Sequence, residues 1–239
     1  MTDLLQPGAC IGILGGGQLG RMLSVAASRL GLRCHIYDPA PNPPAGHVAE
    51  TVTTAAWDDT GALRAFAGSV DVITYEFENI PAATLDLLET LRPVRPGRRA
   101  LAVSQDRLTE KDFLTGLGLI CAPCRDSPDA AALDAALAEI GTPAILKTRR
   151  LGYDGKGQAR IMEPSKAGAA FAEMAGQDAI LEGFVDFSAE ISVIAARGVS
   201  GEVACFDPGE NVHRGGILHT TTVPRPRGAP RASRDPVDR

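Results

Sequence analysis

The first hundred residues alternate short apolar runs with segments of helical periodicity, and this alternation constrains the fold more than any other feature. Cys10-Ile-Gly-Ile-Leu14 has the composition of a buried strand, and residues 18–30 then carry apolar side chains at a helical period. Further segments of the two kinds follow along the chain, at 32–37, 48–52, 60–67, 70–75 and 100–117. The pattern predicts an α/β fold built on a doubly wound parallel sheet with helices on both faces.

From about residue 123 the strands and helices no longer alternate one for one. The periodicities predict helices and strands in a mixed order, with helices at 129–140 and 165–175 and strands at 143–147, 158–162, 179–184, 189–196 and 202–206. We expect a smaller α+β subdomain with antiparallel strands in this part of the chain. The predicted domains are therefore 1–104 and 105–223, followed by a disordered, Arg/Pro-rich tail over 224–239.

A glycine loop, Gly15-Gly-Gly-Gln-Leu-Gly20, lies between the first predicted strand and the first predicted helix. Glycine lets the backbone approach an anion, and the helix N-terminus supplies oriented N–H groups. With Asp38 eighteen residues beyond Gly20, the loop fits a dinucleotide fingerprint, but any phosphate monoester would suit the same geometry. A tight strand-to-helix turn that binds nothing is the structural alternative.

A second glycine-rich segment joins the predicted strands at 143–147 and 158–162, which indicates a hairpin. The predicted turn and the residues beside it contain three glycines and four cations: Gly152, Gly155 and Gly157, with Lys147, Arg149, Arg150 and Lys156. Backbone N–H groups freed by glycine, together with these cations, would make a mobile cover for a polyphosphate. A surface hairpin without a ligand is the alternative.

Several acidic residues and one histidine are further candidates. Glu76 and Glu78 follow a predicted strand, and strand alternation places both on the same side, where one can accept hydrogen bonds from a substrate amine or hydroxyl. Glu182 follows the apolar residues 179–181 of a predicted strand, and the backbone at the edge of this strand could recognise adenine. Glu190 could bind ribose hydroxyls. His213 could bind an anion or transfer a proton. A solvated acid or a loop histidine remains the alternative at each position.

Composition excludes some classes of protein. The net charge of -5 argues against a general nucleic-acid binder. No apolar run reaches the roughly 20 residues needed to span a bilayer, and the N-terminus lacks the order of a signal peptide. The odd count of five cysteines suits reduced thiols and predicts a cytoplasmic location. Cys121 and Cys124 have C-x-x-C spacing, but no second pair completes a metal site.

Taken in order, the motifs resemble one family. They are the glycine loop with Gln-Leu-Gly-Arg21, Phe77-Glu-Asn-Ile-Pro81, Asp106-Arg-Leu-Thr-Glu-Lys111, Lys147 with Gly152-Tyr-Asp-Gly-Lys-Gly-Gln158, Glu182 and Glu190, and Asn211-Val-His-Arg214. This order, from about residue 10 to about 223, closely resembles the N5-carboxyaminoimidazole ribonucleotide synthetases, ATP-grasp ligases of purine biosynthesis. The resemblance implies a pre-ATP-grasp domain followed by the lid part of an ATP-grasp domain.

The resemblance also implies a reaction and its residues. ATP and bicarbonate would give carboxyphosphate, which would carboxylate the amine of 5-aminoimidazole ribonucleotide. The expected ATP-site residues are Arg107, Lys147, Gly152, Tyr153, Asp154, Gly155, Lys156, Gly157, Gln158, Glu182, Gly183, Phe184, Val185, Glu190 and His213. Gly17, Gln18, Leu19 and Glu76 would face the ribonucleotide, with Tyr153 also near it, and Tyr153, Lys156 and Glu76 are the expected catalytic residues.

Family members continue well beyond the point at which this chain turns into its Arg/Pro tail. The resemblance implies Mg²⁺, but places its acidic ligands in that further part, so no metal ligand is assigned here. We therefore expect a truncated or frameshifted chain with an incomplete ATP-grasp core and negligible turnover on its own. Members of the family are commonly homodimers.

Two other functions stay open. A nicotinamide-dependent oxidoreductase would use the first glycine loop and Asp38, but it leaves the second glycine segment and its lysines unexplained. A nucleotide-binding remnant or assembly partner without catalysis would fit the absence of an acidic metal pair.

Overall fold

The structure, a computed structural model, describes residues 4–152, 156–215 and 217–224. The chain is divided into two compact units, the first ending at Phe113 and the second beginning at Leu114. The boundary expected at 104/105 remains a prediction. Within the described ranges, no helix is both long enough and apolar enough to cross a membrane.

The first unit is built on a parallel sheet of four strands in the order β3-β2-β1-β4. The strands are β1 (Cys10–Leu14), β2 (Arg33–Asp38), β3 (Thr51–Thr54) and β4 (Val72–Tyr75). The helices that follow in this part of the chain are α1 (Gln18–Arg29), α2 (Thr60–Gly68), α3 (Ala82–Glu89), α4 (Arg98–Ser104) and α5 (Arg107–Gly116). A 3₁₀ turn covers Pro44–His47. The predicted doubly wound sheet is confirmed, whereas α3 was not expected from the sequence.

Strand alternation sends neighbouring side chains to opposite faces of this sheet. Ile13 packs in a cluster with Ala27 of α1, on one face. Its neighbour Leu14 packs in a different cluster, with Phe66 of α2 and Leu85 of α3. Each face of the sheet is thus covered by its own helices, and the strand ends are left to carry polar groups.

The second unit contains an antiparallel sheet in the order β5-β8-β6-β7. Its strands are β5 (Cys124–Ser127), β6 (Ala144–Thr148), β7 (Gln158–Ile161) and β8 (Ala179–Gly183). Two helices, α6 (Ala130–Ile140) and α7 (Ala167–Glu173), supply Leu133 and Ala170 to a core that also holds Leu146 and Leu181. The predicted α+β unit with antiparallel strands is confirmed, and β5 is an additional strand.

The remaining strands form two small antiparallel sheets. One has the order β13-β12-β9, with β9 (Glu190–Ser192), β12 (Gly209–Arg214) and β13 (Ile217–Thr222); the other pairs β10 (Ala195–Arg197) with β11 (Val203–Cys205). The single strand expected over 189–196 is therefore wrong, because β9 and β10 belong to different sheets. Strands β12 and β13 were not expected, since their polar and charged residues hide the apolar alternation.

The predicted glycine-rich hairpin is the β6–β7 pair, in which Lys147 lies opposite Gln158. The Thr148 N–H donates to the Gly157 carbonyl at 2.8 Å. Gly157 has a φ of +66°, and a Cβ there would lie 2.6 Å from Thr148 Oγ1. Only glycine fits this position, because both the left-handed backbone and the space require it.

We expect Gly157→Ala to destabilise the second unit by about 1–2 kcal/mol, since alanine must adopt the left-handed conformation and displace Thr148. Gly168→Ala is the matched control, because Gly168 lies in α7 with open space around its Cβ and should gain roughly 0.5–1 kcal/mol. Urea unfolding followed by circular dichroism measures both changes. Equal effects of the two substitutions would contradict this account.

His35 is a buried histidine in β2, 6% exposed, with hydroxyl partners on both ring nitrogens. Nδ1 lies 2.8 Å from Ser69 Oγ and Nε2 lies 2.8 Å from Thr53 Oγ1. Because Ser69 donates its own hydrogen to the Phe66 carbonyl, the neutral ring donates from Nδ1 and accepts at Nε2. Burial away from water lowers the pKa of His35.

The lowered pKa of His35 predicts a pH dependence of stability. The unfolded chain, with a pKa near its ordinary value of about 6.5, binds a proton that the folded chain does not, so the free energy of unfolding falls as pH drops below that value. One such group contributes a slope of at most about 1.4 kcal/mol per pH unit. His35→Gln should reduce the pH dependence of the free energy of unfolding between pH 7.5 and 5.5. The control His47→Gln, at an exposed histidine, should leave that dependence unchanged. Identical slopes in the two variants would refute the assignment.

Candidate functional site

The glycine loop between β1 and α1 approaches the carboxylate of Glu76 closely. Gly15 has a φ of +94°, and a Cβ on it would lie 2.7 Å from Glu76 Oε1. A Cβ on Gly20 would lie 2.8 Å from the Gly15 carbonyl oxygen. The glycines therefore allow a tight turn against a carboxylate as well as a close approach of loop and helix.

Two of the loop N–H groups are already bound to acids. The Gly16 N–H donates to Asp38 Oδ2 at 2.6 Å, and the Gly17 N–H donates to Glu76 Oε1 at 2.9 Å. Carboxylates from neighbouring strand ends therefore occupy these two N–H groups, and the phosphate expected at the loop and the helix N-terminus stays a prediction. Among the described residues, the N–H groups of Gln18, Leu19 and Gly20 at the start of α1 have no acceptor.

The Asp38 carboxylate binds backbone N–H groups through both of its oxygens. Its second oxygen, Oδ1, accepts the Ala40 N–H at 2.7 Å. Both oxygens of the carboxylate thus serve the backbone of the turn and the glycine loop. A ribose hydroxyl would have to compete with these backbone donors, which argues against the oxidoreductase alternative.

The two acids after β4 have different surroundings. The strand ends at Tyr75, so the expected alternation that would put Glu76 and Glu78 on one side does not extend to them. The Glu76 backbone N–H donates to the Leu14 carbonyl at 3.1 Å, and its side chain binds the glycine loop. Glu78 is exposed, with the Asn79 amide 3.3 Å away. The structure thus favours Glu76 as the candidate.

Lys147 and Glu182 form an ion pair within the sheet of the second unit. Lys147 Nζ lies 2.9 Å from Glu182 Oε2, and the side chains are 20% and 10% exposed. The pair forms because β6 and β8 are neighbours, with Ile145 opposite Glu182. Removing either partner would leave the other charge poorly solvated, so the two side chains act as one unit.

The segment that follows Glu182 differs from the expected open strand edge. Strand β8 is internal, between β5 and β6. The Gly183 N–H donates to the Pro123 carbonyl at 2.8 Å, and the Phe184 N–H donates to the Pro143 carbonyl at 3.2 Å. The N–H groups of Gly183 and Phe184 are thus already bonded and β8 is not an edge strand, whereas the expected contact of residues 182–185 with adenine stays a prediction. Val185, 48% exposed, is the first residue beyond these bonds.

Glu190 and His213 meet on one face of the β13-β12-β9 sheet. His213 Nδ1 lies 3.3 Å from Glu190 Oε1. Asn211, directly opposite Glu190, belongs to the Asn211–Arg214 motif but received no role from the sequence. Its Oδ1 accepts from Thr221 Oγ1 at 2.9 Å and from Ser192 Oγ at 3.4 Å. The register of the β12–β13 pair shifts between Val212 and His213, and the contact with Glu190 places His213 beside Asn211. Finding this from the sequence needed β12 to be identified.

The other expected residues fall in several places. Arg107 is the first residue of α5, in the first unit, where Asp106 Oδ1 accepts the Leu108 and Thr109 N–H groups at 3.0 and 3.1 Å. Gly152 and Lys156 flank the tip of the β6–β7 hairpin. Tyr153, Asp154 and Gly155 lie outside the described residues.

No metal centre is assigned. Within residues 4–152, 156–215 and 217–224, no three His, Cys, Asp or Glu side chains come together as a metal site would require. All five cysteines are free thiols, including the C-x-x-C pair Cys121 and Cys124. We therefore identify residues only for organic and phosphate groups.

Two family models match this chain. The ribonucleotide synthetase preATP-grasp domain matches residues 9–105, and the ATP-grasp domain matches residues 112–234. The N5-carboxyaminoimidazole ribonucleotide synthase of Brucella melitensis is 53% identical over 222 residues, covering 92% of this chain and 61% of that protein. The synthase of Bacillus subtilis is 41% identical, covering 93% of this chain and 58% of that protein.

Solved structures that are similar to this chain have the same family name as these relatives. The ADP complex of a synthetase called purK superimposes with a TM-score of 0.89 at 41% identity, covering 94% of this chain and 59% of that chain. An Aspergillus clavatus synthase in complex with ADP and 5-aminoimidazole ribonucleotide gives a TM-score of 0.79 at 25% identity, covering 89% and 56%. The chain thus spans about three fifths of the length of the curated relatives it matches. The resemblance found in the sequence is confirmed: this chain belongs to the ATP-grasp family, with a ribonucleotide synthetase preATP-grasp domain before its ATP-grasp domain.

Proposed function

We propose that this chain carries ATP-binding and ribonucleotide-binding parts of an ATP-dependent ligase of purine biosynthesis. The reaction is the carboxylation of 5-aminoimidazole ribonucleotide by bicarbonate to N5-carboxyaminoimidazole ribonucleotide. The observation that carries the proposal is the Lys147–Glu182 pair at the base of the glycine-rich hairpin. The names of the relatives and the bound ADP and 5-aminoimidazole ribonucleotide of the Aspergillus clavatus structure support it.

In the first unit, the start of α1 is the proposed site for the ribonucleotide phosphate. The open N–H groups of Gln18 and Leu19 lie at the positive end of the helix dipole, where an anion is stabilised. Glu76 keeps Oε1 on the Gly17 N–H, which leaves Oε2 to accept from a hydroxyl or amine of the ribonucleotide. An anion at α1 and a donor at Glu76 would together orient the sugar.

In the second unit, the β6–β7 hairpin is the proposed cover of the ATP phosphates. Lys147 would donate to a phosphate oxygen while Glu182 holds its ammonium group in place. Lys156, with the predicted Tyr153, Asp154 and Gly155, would act from the tip of the hairpin. Residues 182–185 are proposed for adenine, with Val185 offering the backbone that the sheet does not use, and Glu190 is proposed for the ribose hydroxyls.

The chemistry explains why a cover is needed. Bicarbonate oxygen would attack the γ-phosphorus of ATP, ADP would leave, and carboxyphosphate would form. The exocyclic amine of the ribonucleotide would then attack the carboxyl carbon, and inorganic phosphate would leave. Carboxyphosphate is readily hydrolysed, so closure of the hairpin would protect it by excluding water. We propose that His213, paired with Glu190, contacts a phosphate or transfers a proton there.

Further properties belong to this proposal. A divalent ion such as Mg²⁺ stabilises charge in phosphoryl transfer, and we assign none of its ligands to the described residues. A cytoplasmic location and a homodimer are expected for such a ligase. Release of ADP that depends on both bicarbonate and 5-aminoimidazole ribonucleotide tests the activity directly. Ligand binding without turnover would instead favour a nucleotide-binding chain without catalysis.

Lys147→Ala should weaken ATP binding about tenfold or more, because it removes a charge-assisted hydrogen bond to phosphate and breaks the ion pair with Glu182. Lys166→Ala, at the end of the short 3₁₀ helix Pro164–Lys166, is the control and should bind as the parent chain does. Isothermal titration calorimetry with ATP measures both affinities. An unchanged affinity of the Lys147 variant would refute the assignment.

Glu76→Gln should weaken binding of 5-aminoimidazole ribonucleotide about tenfold, since a neutral amide replaces an ionised acceptor of nearly the same shape. The ATP affinity should stay within about twofold, because the change is confined to the ribonucleotide subsite. Glu78→Gln is the matched control, as Glu78 is exposed and does not contact the glycine loop. Titrations with each ligand decide the matter, and equal effects of the two substitutions would overturn the role given to Glu76.

A further inference from the structure

Gln105, which follows α4, is a buried polar side chain outside the residues discussed so far. It is 7% exposed, and a buried amide without hydrogen bonds would cost stability. Its Nε2 donates to the Glu78 carbonyl at 2.5 Å and to the Ile80 carbonyl at 2.7 Å. Both hydrogens of the amide are thereby directed at one short segment, 25 and 27 residues away in sequence.

That segment is the connection that carries Glu76. It leaves the sheet at Tyr75, where β4 ends, and it enters the core at Ile80, which is fully buried. Between these points the described structure assigns residues 76–79 to no helix or strand, and beyond the Glu76 N–H the connection has no ladder of hydrogen bonds to a neighbouring strand. At the end of the connection near Ile80, the two hydrogen bonds from Gln105 take the place of those that a neighbouring strand would supply.

The near end of the connection is held by the glycine loop. The Glu76 N–H donates to the Leu14 carbonyl at 3.1 Å, and Glu76 Oε1 accepts the Gly17 N–H at 2.9 Å. A shift of the connection would therefore move the Glu76 carboxylate away from Gly17. Gln105 restrains that shift from outside the glycine loop, through two carbonyls of the chain that bears Glu76.

We propose that Gln105 is a positioning residue that holds the Glu76 carboxylate against the glycine loop and so prepares the ribonucleotide subsite. The role in ribonucleotide binding rests on the proposed function, whereas the restraint on Glu76 does not. Gln105 touches no reacting atom in this scheme. Its effect passes through the backbone of residues 78–80 to the side chain of Glu76.

The test compares amide hydrogen exchange and ligand affinity in Gln105→Met, which keeps the side-chain length and removes both donors. We expect the Gly17 amide to exchange about tenfold faster or more, because two hydrogen bonds that restrain the connection are lost. The Gly16 amide, bound to Asp38, is an internal control and should be unchanged. Affinity for 5-aminoimidazole ribonucleotide should fall about tenfold, with ATP affinity unchanged. Gln6→Met, at an exposed glutamine, is the matched control variant.

The outcomes separate the two claims. Unchanged exchange at Gly17, or faster exchange at Gly16 and the β1 amides as well, would overturn the positioning role. A parent chain that fails to bind 5-aminoimidazole ribonucleotide would refute the proposed function, and the exchange comparison would still decide Gln105. If Gln105→Met does not fold, the side-chain amide of the parent chain gives the answer. Exchange of the Gln105 amide protons as fast as those of Gln6 would overturn the proposal.

Discussion

The hydrogen bond from the Gly17 N–H to the Glu76 carboxylate connects the parts of the first unit on which the candidate site depends. Strands β1 and β4 are neighbours, so the glycine loop after one and the acid after the other meet at the same edge of the sheet. The bond is possible because glycine at position 15 leaves room for the carboxylate. It fixes the N-cap of α1, and with it the direction in which the open N–H groups of that helix point.

In the second unit, contacts between side chains of paired strands hold candidate site residues in place. Lys147 and Glu182 come from neighbouring antiparallel strands, and Glu190 and His213 come from another such pair of strands. In each pair, both side chains are expected to contact nucleotide, and each holds the other in place. Regular pairing of strands thus brings together residues that are 35 and 23 positions apart in sequence.

The sequence predicted the architecture well and the contacts of the site less well. Apolar runs such as Cys10–Leu14 marked the buried strands, because parallel strands covered on both faces are continuously apolar. Strand β12 escaped prediction because one of its faces carries Glu190's partners, Asn211 and His213, rather than core residues. The sequence also identified Glu76 and the glycine loop as candidates. It did not show that the acid would bind the loop, since that contact depends on strand order.

The carboxylates bound to the glycine loop affect whether the entropy cost of ordering that loop falls on folding or on ligand binding. A loop of this glycine content has much backbone freedom to lose, and a ligand that ordered it would bind more weakly for that reason. Here Asp38 and Glu76 accept hydrogen bonds from the Gly16 and Gly17 N–H groups. These bonds within the chain restrain the loop, so the proposed ribonucleotide would meet a preorganised surface. The same two acids would repel an anion close to the turn and would thereby direct the proposed phosphate towards the first turn of α1.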